Sequence, residues 1–459
     1  MAIDGRAKID IAGKSAAVTP PTPAPDGRLG FAHWFTSWLR DPSWLTVQRV
    51  TFYSGVLLLA YLAAAIAQLF HSHHMILESG NFVGGDFVVP YAASIAALKG
   101  DAASVYDIHR VYLQEAAVMG AKDFGGPFME PPMYLLIVLP LSMLPLIASW
   151  IVFETVTLGG YLAVLRRIAP IPVGLWLAIT FPAVIINSMC GQNGFLTTAL
   201  IGGGLLLLDR WPLLAGFLFG LMAYKPHLAI LIPLALIAGR RWRALIATAI
   251  STGLFAAASL AVFGTPAWRA FVGSVAFTQK TVLERGLEGG GTSFATMQTI
   301  FGAIRMWGGS VEVAYVFQVV GAICAASAVV WIWQSSRPFA LKAATVAVGC
   351  LMVSPYLLQY ELVLLALPIA WLAMEGFEKG FLPYEKAVLS VAWILPRVSL
   401  PVSQSAKIPI APIVIIALLT AILRRASYRE PAAHQDQALH LADFETPAPL
   451  LLPGLGQSS

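Results

Sequence analysis

The stretch VTFYSGVLLLAYLAAAIAQLF, residues 50–70, carries no charged side chain and is predominantly apolar. A helix needs about 20 such residues to cross the hydrocarbon core of a bilayer. Comparable runs recur along the chain, which is 58% hydrophobic and only 12% charged, whereas soluble domains carry roughly 25% charged residues. The mean hydropathy of +0.74 agrees. The sequence therefore predicts an all-α polytopic membrane protein.

The apolar runs predict about twelve transmembrane helices. Short loops between several of them carry arginine clusters, which the positive-inside rule places in the cytoplasm together with both termini. These clusters lie at residues 166–167, 210, 240–243 and 424–425. The predicted crossings are Val50–Phe70, Ala148–Leu165, Ile171–Met189, Phe195–Leu208, Trp211–Tyr224, Pro226–Ala238, Ala244–Phe263, Val311–Trp333, Leu341–Val353, Leu358–Met374, Lys386–Leu395 and Pro409–Leu423.

The run over residues 132–165 is long enough for two crossings, but a cytoplasmic Arg166 requires an odd number. Pro140 interrupts its first half, and proline breaks or kinks a helix. We therefore predict that Pro132–Pro145 is re-entrant or interfacial and that Ala148–Leu165 is the true crossing.

Two long segments are predicted to lie outside, opposite the arginine clusters. The first, residues 71–130, contains two stretches with the pattern of amphipathic surface helices, Asp86–Leu98 and Val105–Val118. The second, Gly264–Gly309, contains three consecutive glycines at 289–291, which suit either a mobile lid or a slack linker.

The composition divides the chain into three parts. Residues 1–45 and 425–459 are rich in Pro and Ala and are predicted to be disordered cytoplasmic segments. Residues 46–424 are predicted to form one transmembrane domain. The net charge of +5 fits cytoplasmic loops and does not indicate nucleic-acid binding. The three cysteines lie in or beside apolar runs and indicate no disulfide framework.

The stretch Gly84-Gly85-Asp86-Phe87, with Tyr91 one turn later, follows the first crossing. The two glycines allow a tight turn, and the carboxylate is predicted to stand at the boundary between membrane and water. Asp86 is our candidate for a catalytic base that accepts a proton. The competing interpretation is that Asp86 only caps the following helix, because Asp is a favoured N-cap residue.

The turn Gly191-Gln192-Asn193-Gly194 is predicted to face the same side as Asp86. The amides of Gln192 and Asn193 offer both donors and acceptors, which suits sugar hydroxyls. Asn-Gly is also a favoured pair in ordinary turns, so a purely structural role is equally compatible with this stretch.

Lys225 lies in the middle of the run over residues 211–239 and is followed by Pro226. An unpaired Lys at the centre of a single spanning helix costs roughly 2.5–3.5 kcal/mol. A break at Pro226 leaves two halves of roughly 21 Å each, against roughly 30 Å of hydrocarbon. We expect Lys225, with His227 nearby, to bind an anion such as a lipid phosphate. The alternative is a snorkelling lysine without a ligand.

Tyr360-Glu361 opens a later crossing from the outside. An acid at a helix start is also explained by the helix dipole alone. His71, His73 and His74 raise the question of a metal site, but nearly consecutive residues rarely converge on one centre without a fixed scaffold.

The order of these motifs resembles glycosyltransferase family 87, the polyprenol-phosphate-mannose-dependent α-(1→2)-mannosyltransferases. The resemblance covers about residues 50–423. The residues that carry it are Gly84-Gly85-Asp86-Phe87 with Tyr91, Tyr106-Asp107, Pro131-Pro132, Gly191-Gln192-Asn193, Lys225-Pro226, Ser354-Pro355 and Tyr360-Glu361-Leu362. Two positions depart from the family pattern: Asn193 comes one place early, and Glu361 stands where relatives often have Asp.

The resemblance implies a membrane glycosyltransferase of the GT-C type in the bacterial inner membrane, with an active site facing the periplasm and inversion at the anomeric carbon. It implies a polyprenyl-phosphate sugar donor and a lipid-linked or glycan acceptor, with membrane lipids around the protein. By the same resemblance, Asp86 is the base, and we assign the leaving phosphate to Lys225 and His227. The remaining candidates for sugar or acceptor binding are Tyr91, Asp107, Gln192, Asn193, Tyr360 and Glu361.

No cofactor is expected, and no essential metal, because Lys and His can stabilise a phosphate leaving group by themselves. The main alternative function is a transporter or flippase of a lipid-linked sugar. Transporters usually show internal repeats or paired broken helices in both halves, whereas the sequence shows one such pair, around Pro226. A transferase for another sugar, such as arabinose or a hexuronate, is a second alternative.

Overall fold

The computed structural model describes residues 36–72, 76, 84–120, 126–286 and 294–428, and the regular elements in these ranges are helices. The α-helices are Val47–Phe70, Val88–Leu98, Ile108–Met119, Pro132–Val138, Leu146–Ile168, Pro172–Ile179, Pro182–Cys190, Gly194–Leu207, Pro212–Leu221, Pro226–Ala229, Leu231–Ala238, Trp242–Thr278, Ile300–Met306, Val311–Gln334, Phe339–Val353, Ala366–Lys379, Glu385–Ala406 and Ile410–Ser427. Short 3₁₀ turns cover Gly85–Phe87, Ser104–Tyr106, Leu139–Met143, Met222–Tyr224 and Gln359–Leu365, and a π-helix covers Gln279–Glu284.

Within the described ranges, eight helices are long and apolar enough to cross a membrane. They correspond to eight of the predicted crossings and confirm an all-α, multi-pass membrane protein. The other four predicted crossings are shorter helical segments: Gly194–Leu207, Pro212–Tyr224, Pro226–Ala238 and Phe339–Val353. Pro132–Met143, which we predicted not to cross, is likewise a short helix with a 3₁₀ end.

The prediction that the helix after Asp86 lies on the surface is wrong. Val88–Leu98 buries seven of its residues, among them Val88 and Tyr91. Its mixture of Ala and Val has no polar face wide enough for a surface helix, so most of the helix packs against the protein. Ile108–Met119 does have a polar face and buries only Val111 and Glu115.

The segment from Gly264, which we predicted to be a long external loop, begins as a helix. A helix runs over Trp242–Thr278 with a kink at Gly264, where φ is +75° and ψ is 173°. Glycine tolerates this conformation, and Pro266 lies in the first turn of the restarted segment, where its missing N–H costs little. The chain therefore continues as a helix far beyond the predicted crossing.

A pair of glycines fixes one tight helix contact in the core. Gly216 and Gly220 are four residues apart and form one face of Pro212–Leu221. A Cβ at Gly216 would lie 2.5 Å from the carbonyl oxygen of Ala244, and one at Gly220 would lie 2.5 Å from Ser251. Small residues at this spacing allow the backbones of two helices to approach closely.

Two ion pairs lie at one end of the helices, one beside a loop and one between two helix ends. Arg241 Nη2 lies 2.6 Å from Asp209 Oδ1. Arg425 Nε donates to Glu385 Oε1 at 2.8 Å, and both of these side chains are buried. The last helix ends at Ser427, four residues beyond the predicted end of the crossing at Leu423. Of the segments predicted to be disordered, 1–45 and 425–459, residues 1–35 and 429–459 lie outside the described ranges. The prediction is wrong for residues 36–40 and 425–427, which are helical.

Candidate active site

A cavity of about 510 Å³ lies at the opposite ends of these helices, where several predicted motifs meet. Its walls are mostly apolar and aromatic, with a few polar groups, as is usual for ligand pockets. The side chains that line it include Glu130, Lys225, His227, Phe271, Gln279, Tyr315, Tyr356, Tyr360 and Glu361.

Lys225 stands where the predicted broken helix is indeed broken. Pro212–Leu221 ends in a 3₁₀ turn, Lys225 has φ −129° and ψ 68°, and a new helix starts at Pro226. Proline disfavours the helical conformation in the residue before it, so Pro226 places Lys225 in the gap between the two segments.

The Lys225 ammonium makes an ion pair with Glu361. Nζ lies 2.8 Å from Glu361 Oε1, and the two residues are only 4% and 3% exposed. Glu361 Oε2 also accepts the backbone N–H of Leu358 at 2.8 Å, which fixes the carboxylate at the start of its helix. The snorkelling interpretation of Lys225 is therefore wrong, and the charge has a protein partner, Glu361, that was not paired with it from the sequence.

Two further groups surround this ion pair. Lys225 Nζ lies 5.1 Å from the ring centroid of Tyr360, a cation–π distance. His227 Nε2 lies 3.9 Å from Glu361 Oε1, too far for a hydrogen bond. This nitrogen is buried and has no hydrogen-bond partner in the part of the chain that the structure describes. The cluster thus keeps hydrogen-bonding capacity on His227 and on the remaining N–H groups of Lys225.

Asp86 is held by the turn that contains Gln192. Gln192 Nε2 donates to Asp86 Oδ2 at 2.9 Å. The two turns touch so closely that a Cβ on Gly191 would lie 1.8 Å from the carbonyl oxygen of Gly84. Gly191 also has φ +61°, so only glycine fits without strain. The glycines therefore bring Asp86 and Gln192 together.

The capping interpretation of Asp86 is not what the structure shows. Asp86 lies in a 3₁₀ turn, and the helix Val88–Leu98 has no side-chain cap at its start. The Asp86 side chain keeps access to solvent, but the surrounding protein raises the pKa of its carboxyl above the ordinary value. The hydrogen bond from Gln192 partly offsets this rise. A raised pKa moves a carboxylate toward the range useful for a general base.

Glu130 connects the Asp86 turn to the cavity and was not singled out from the sequence. It lines the cavity, and its Oε1 lies 3.4 Å from Asn193 Nδ2. Tyr106 donates its hydroxyl to the Glu130 carbonyl oxygen at 3.0 Å, which holds this segment in place. The sequence did contain a signal that could have identified Glu130: it is an acid directly before Pro131-Pro132, where an apolar run begins.

The predicted site residues therefore fall into three groups. Lys225, His227, Tyr360 and Glu361 line the cavity, and Gln192 and Asn193 join it to Asp86 through Glu130. Tyr91 and Asp107 do not line it. The Tyr91 hydroxyl donates to the Leu144 carbonyl oxygen at 2.8 Å, and Asp107 caps the helix Ile108–Met119.

Two features singled out from the sequence lie outside the described ranges. They are the glycines at 289–291 and the histidines His73 and His74. Among the residues that are described, no group of three or more His, Cys, Asp or Glu is arranged to hold a metal ion.

Comparison with known proteins identifies the family. The sequence profile of glycosyltransferase family 87 matches residues 128–355, a narrower range than the resemblance suggested, and it includes Glu130, Gln192 and Lys225. No curated protein and no solved structure matches the chain. With its multiple spanning helices and a polar cavity at their ends, the chain is a membrane glycosyltransferase that belongs to glycosyltransferase family 87.

Proposed function

We propose that this protein transfers a hexose, such as mannose, from a polyprenyl phosphate to a lipid-linked or glycan acceptor, with inversion at the anomeric carbon. The observation that carries the proposal is the cluster of Lys225, His227 and Glu361 at the wall of an aromatic cavity. Cationic groups inside an apolar cavity suit a substrate that joins a phosphate to a lipid.

Lys225 and His227 are proposed to bind the donor phosphate. An ammonium has three N–H donors, and Glu361 uses one of them. The unpartnered His227 Nε2 supplies a further hydrogen-bonding group beside it. Glu361 then holds Lys225 in place before the donor arrives, because a buried ammonium without a counter-charge is strongly disfavoured.

Asp86 is proposed to accept the proton of the acceptor hydroxyl. The acceptor oxygen attacks the anomeric carbon as its proton passes to Asp86 Oδ1 or Oδ2. The bond from the anomeric carbon to the phosphate oxygen breaks, and the polyprenyl phosphate leaves with the electron pair. Lys225 and His227 stabilise the charge that develops on this phosphate.

The sidedness of the site is part of the same proposal. Asp209, Arg241 and Arg425 lie at one end of the helices, and the cavity lies at the other. The positive-inside rule places the arginine clusters in the cytoplasm. In a bacterial inner membrane, the cavity would then face the periplasm.

Purified protein in detergent tests the proposed function directly. A short-chain polyprenyl phosphate mannose is the donor, and methyl α-D-mannopyranoside is the acceptor probe. We expect wild-type protein to form a dimannoside and free polyprenyl phosphate, detected by mass spectrometry. Lys225→Met should weaken donor binding about tenfold or more, since a hydrogen bond to a charged group is lost. Wild-type protein that consumes no polyprenyl-phosphate sugar in a donor panel would favour a transporter.

A further inference from the structure

A second polar cluster lies on the cavity wall formed by the end of the long kinked helix. Gln279 and Tyr315 both line the cavity. Gln279 Nε2 donates to Glu284 Oε1 at 3.1 Å and contacts the Tyr315 hydroxyl at 3.0 Å. Tyr315 donates its hydroxyl to the same Glu284 oxygen at 3.1 Å. We call these three residues the Gln279–Glu284–Tyr315 triad.

The triad exists because the helix changes its winding at this point. In an α-helix, residues advance by about 100° each, so positions five apart point roughly 140° away from each other. Gln279–Glu284 is a π-helix, whose hydrogen bonds run from residue i to i+5 and bring such positions onto one face. The two side chains can therefore bond to each other and to Tyr315. π turns of this kind are frequent at functional sites.

The neighbouring helix holds the π turn in place. Arg305 Nη2 donates to the Glu284 carbonyl oxygen at 3.0 Å, and Arg305 Nη1 donates to the Gly309 carbonyl oxygen at 2.6 Å. The guanidinium also lies 4.8 Å from the ring centroid of Phe294. Both hydrogen bonds are to backbone carbonyl oxygens, and within the described part of the chain Arg305 forms no close ion pair with the Glu284 carboxylate.

The chemistry of the triad is complementary to sugar hydroxyls. Glu284 Oε2 has no hydrogen bond within the described part of the chain, and all three side chains keep access to solvent. A carboxylate, an amide and a phenol supply both acceptors and donors. A phosphate is disfavoured here, because it would meet the negative charge of Glu284. The cavity thus has Lys225 on one part of its wall and Gln279 and Tyr315 on another, and both of these latter side chains are hydrogen-bonded to the Glu284 carboxylate.

We propose that the Gln279–Glu284–Tyr315 triad is the acceptor subsite and binds hydroxyl groups of the acceptor sugar. This inference rests on the proposed function and extends it to the nature of the acceptor. The donor phosphate lies at Lys225, and the acceptor sugar is held by the part of the cavity wall that Gln279 and Tyr315 form. Its recognised part is a neutral, hydroxyl-rich glycan unit.

Direct binding of methyl α-D-mannopyranoside tests the subsite without requiring turnover. The probe is titrated against full-length protein in detergent and followed by saturation-transfer NMR. We expect Glu284→Gln and Tyr315→Phe each to raise the probe Kd about tenfold or more, as loss of a hydrogen bond to a charged group predicts. Glu312→Gln, which alters an exposed acid on the same helix as Tyr315, is the matched control. Unfolding temperatures of all variants verify folding.

Steady-state kinetics then distinguish an effect on acceptor binding from an effect on donor binding. With the polyprenyl phosphate mannose donor, both triad variants should raise the acceptor KM and leave the donor KM unchanged. A rise in the donor KM with an unchanged acceptor KM would overturn the assignment to the acceptor. Probe binding that is undetectable in wild type, or equal in wild type and triad variants, would overturn the subsite. A failure of the proposed function would give a different result, because the wild-type protein would then consume no donor.

Discussion

Lys225 and Glu361 are 136 residues apart in the chain and form a buried ion pair in the structure. A single sequence shows that each is an ionisable residue in an apolar run, but it does not show that they meet. The break at Lys225 was predictable because Pro226 acts on its immediate neighbour. The partner of Lys225 was not predictable, because the contact depends on how helices that are distant in the chain pack together.

Removing both members of this pair should cost less stability than the two single removals added together. Glu361→Gln leaves a buried ammonium unpaired, which typically costs about 3–5 kcal/mol. The double variant Lys225→Met with Glu361→Gln should be less destabilised than the sum of the single variants. Thermal unfolding in detergent measures this coupling. Glu378→Gln, at an exposed acid in the same segment, serves as control. Strictly additive effects would contradict a coupled ion pair.

The raised pKa of Asp86 predicts the acid side of the pH–rate profile. The base must be ionised, so kcat/KM should fall as the pH falls through the Asp86 pKa, which lies above the ordinary range for Asp. The hydrogen bond from Gln192 lowers that pKa. Gln192→Ala should therefore move the acid limb to higher pH. Gln114→Ala, which instead removes a contact to Ser104, should not move it. If the acid limb of the Gln192→Ala profile does not move, Gln192 does not influence the pKa of the catalytic base.

At the scale of elements, two glycine turns assemble the site. The sequence predicted both turns from their Gly-rich composition, and it placed them on the same side of the membrane. Their direct contact was not predictable, because it depends on the close approach of Gly191 to Gly84. The burial of Val88–Leu98 was missed for a related reason. Its composition is compatible with either a surface or a packed position, and tertiary packing decides between them.

Substitution of Gly191 tests this contact between turns. Gly191→Ala would place a Cβ 1.8 Å from the Gly84 carbonyl oxygen, so the turns must separate. We expect turnover to fall on the order of 10²-fold, the scale of a displaced catalytic group. Gly100→Ala is a matched control, since Gly100 also has a positive φ but no atom within 4 Å of the added Cβ. Equal turnover in the two variants would show that turn contact does not position Asp86.

At the scale of the whole molecule, the charge pattern and the path of the helices agree. The arginine clusters that predicted the sidedness lie at the ends of the helices opposite the cavity. The number of crossings was harder to predict from the sequence. Four predicted crossings are helices too short to span a bilayer unaided, and the helix from Trp242 continues to Glu284. Helix length alone therefore does not fix the membrane boundaries here.

Cysteine labelling in cells tests the proposed sidedness. In a background without Cys190, Cys324 and Cys350, single cysteines near Gln192 and His227 should react with a membrane-impermeant maleimide added outside. A cysteine near Arg241 should react only after the membrane is opened. Labelling of position 241 from the outside would reverse the topology and place the cavity in the cytoplasm.

The central claim is that Asp86 is the catalytic base, and the Asp86→Asn variant tests it most directly. Asn retains the size of the side chain and caps helices about as well as Asp, but it cannot accept the proton. We predict that turnover falls on the order of 10²-fold or more, the usual scale for a lost general base, with donor binding largely retained. Turnover within a few-fold of wild type would contradict the assignment, and the base would have to be sought among the other acids of the site, Glu130 first.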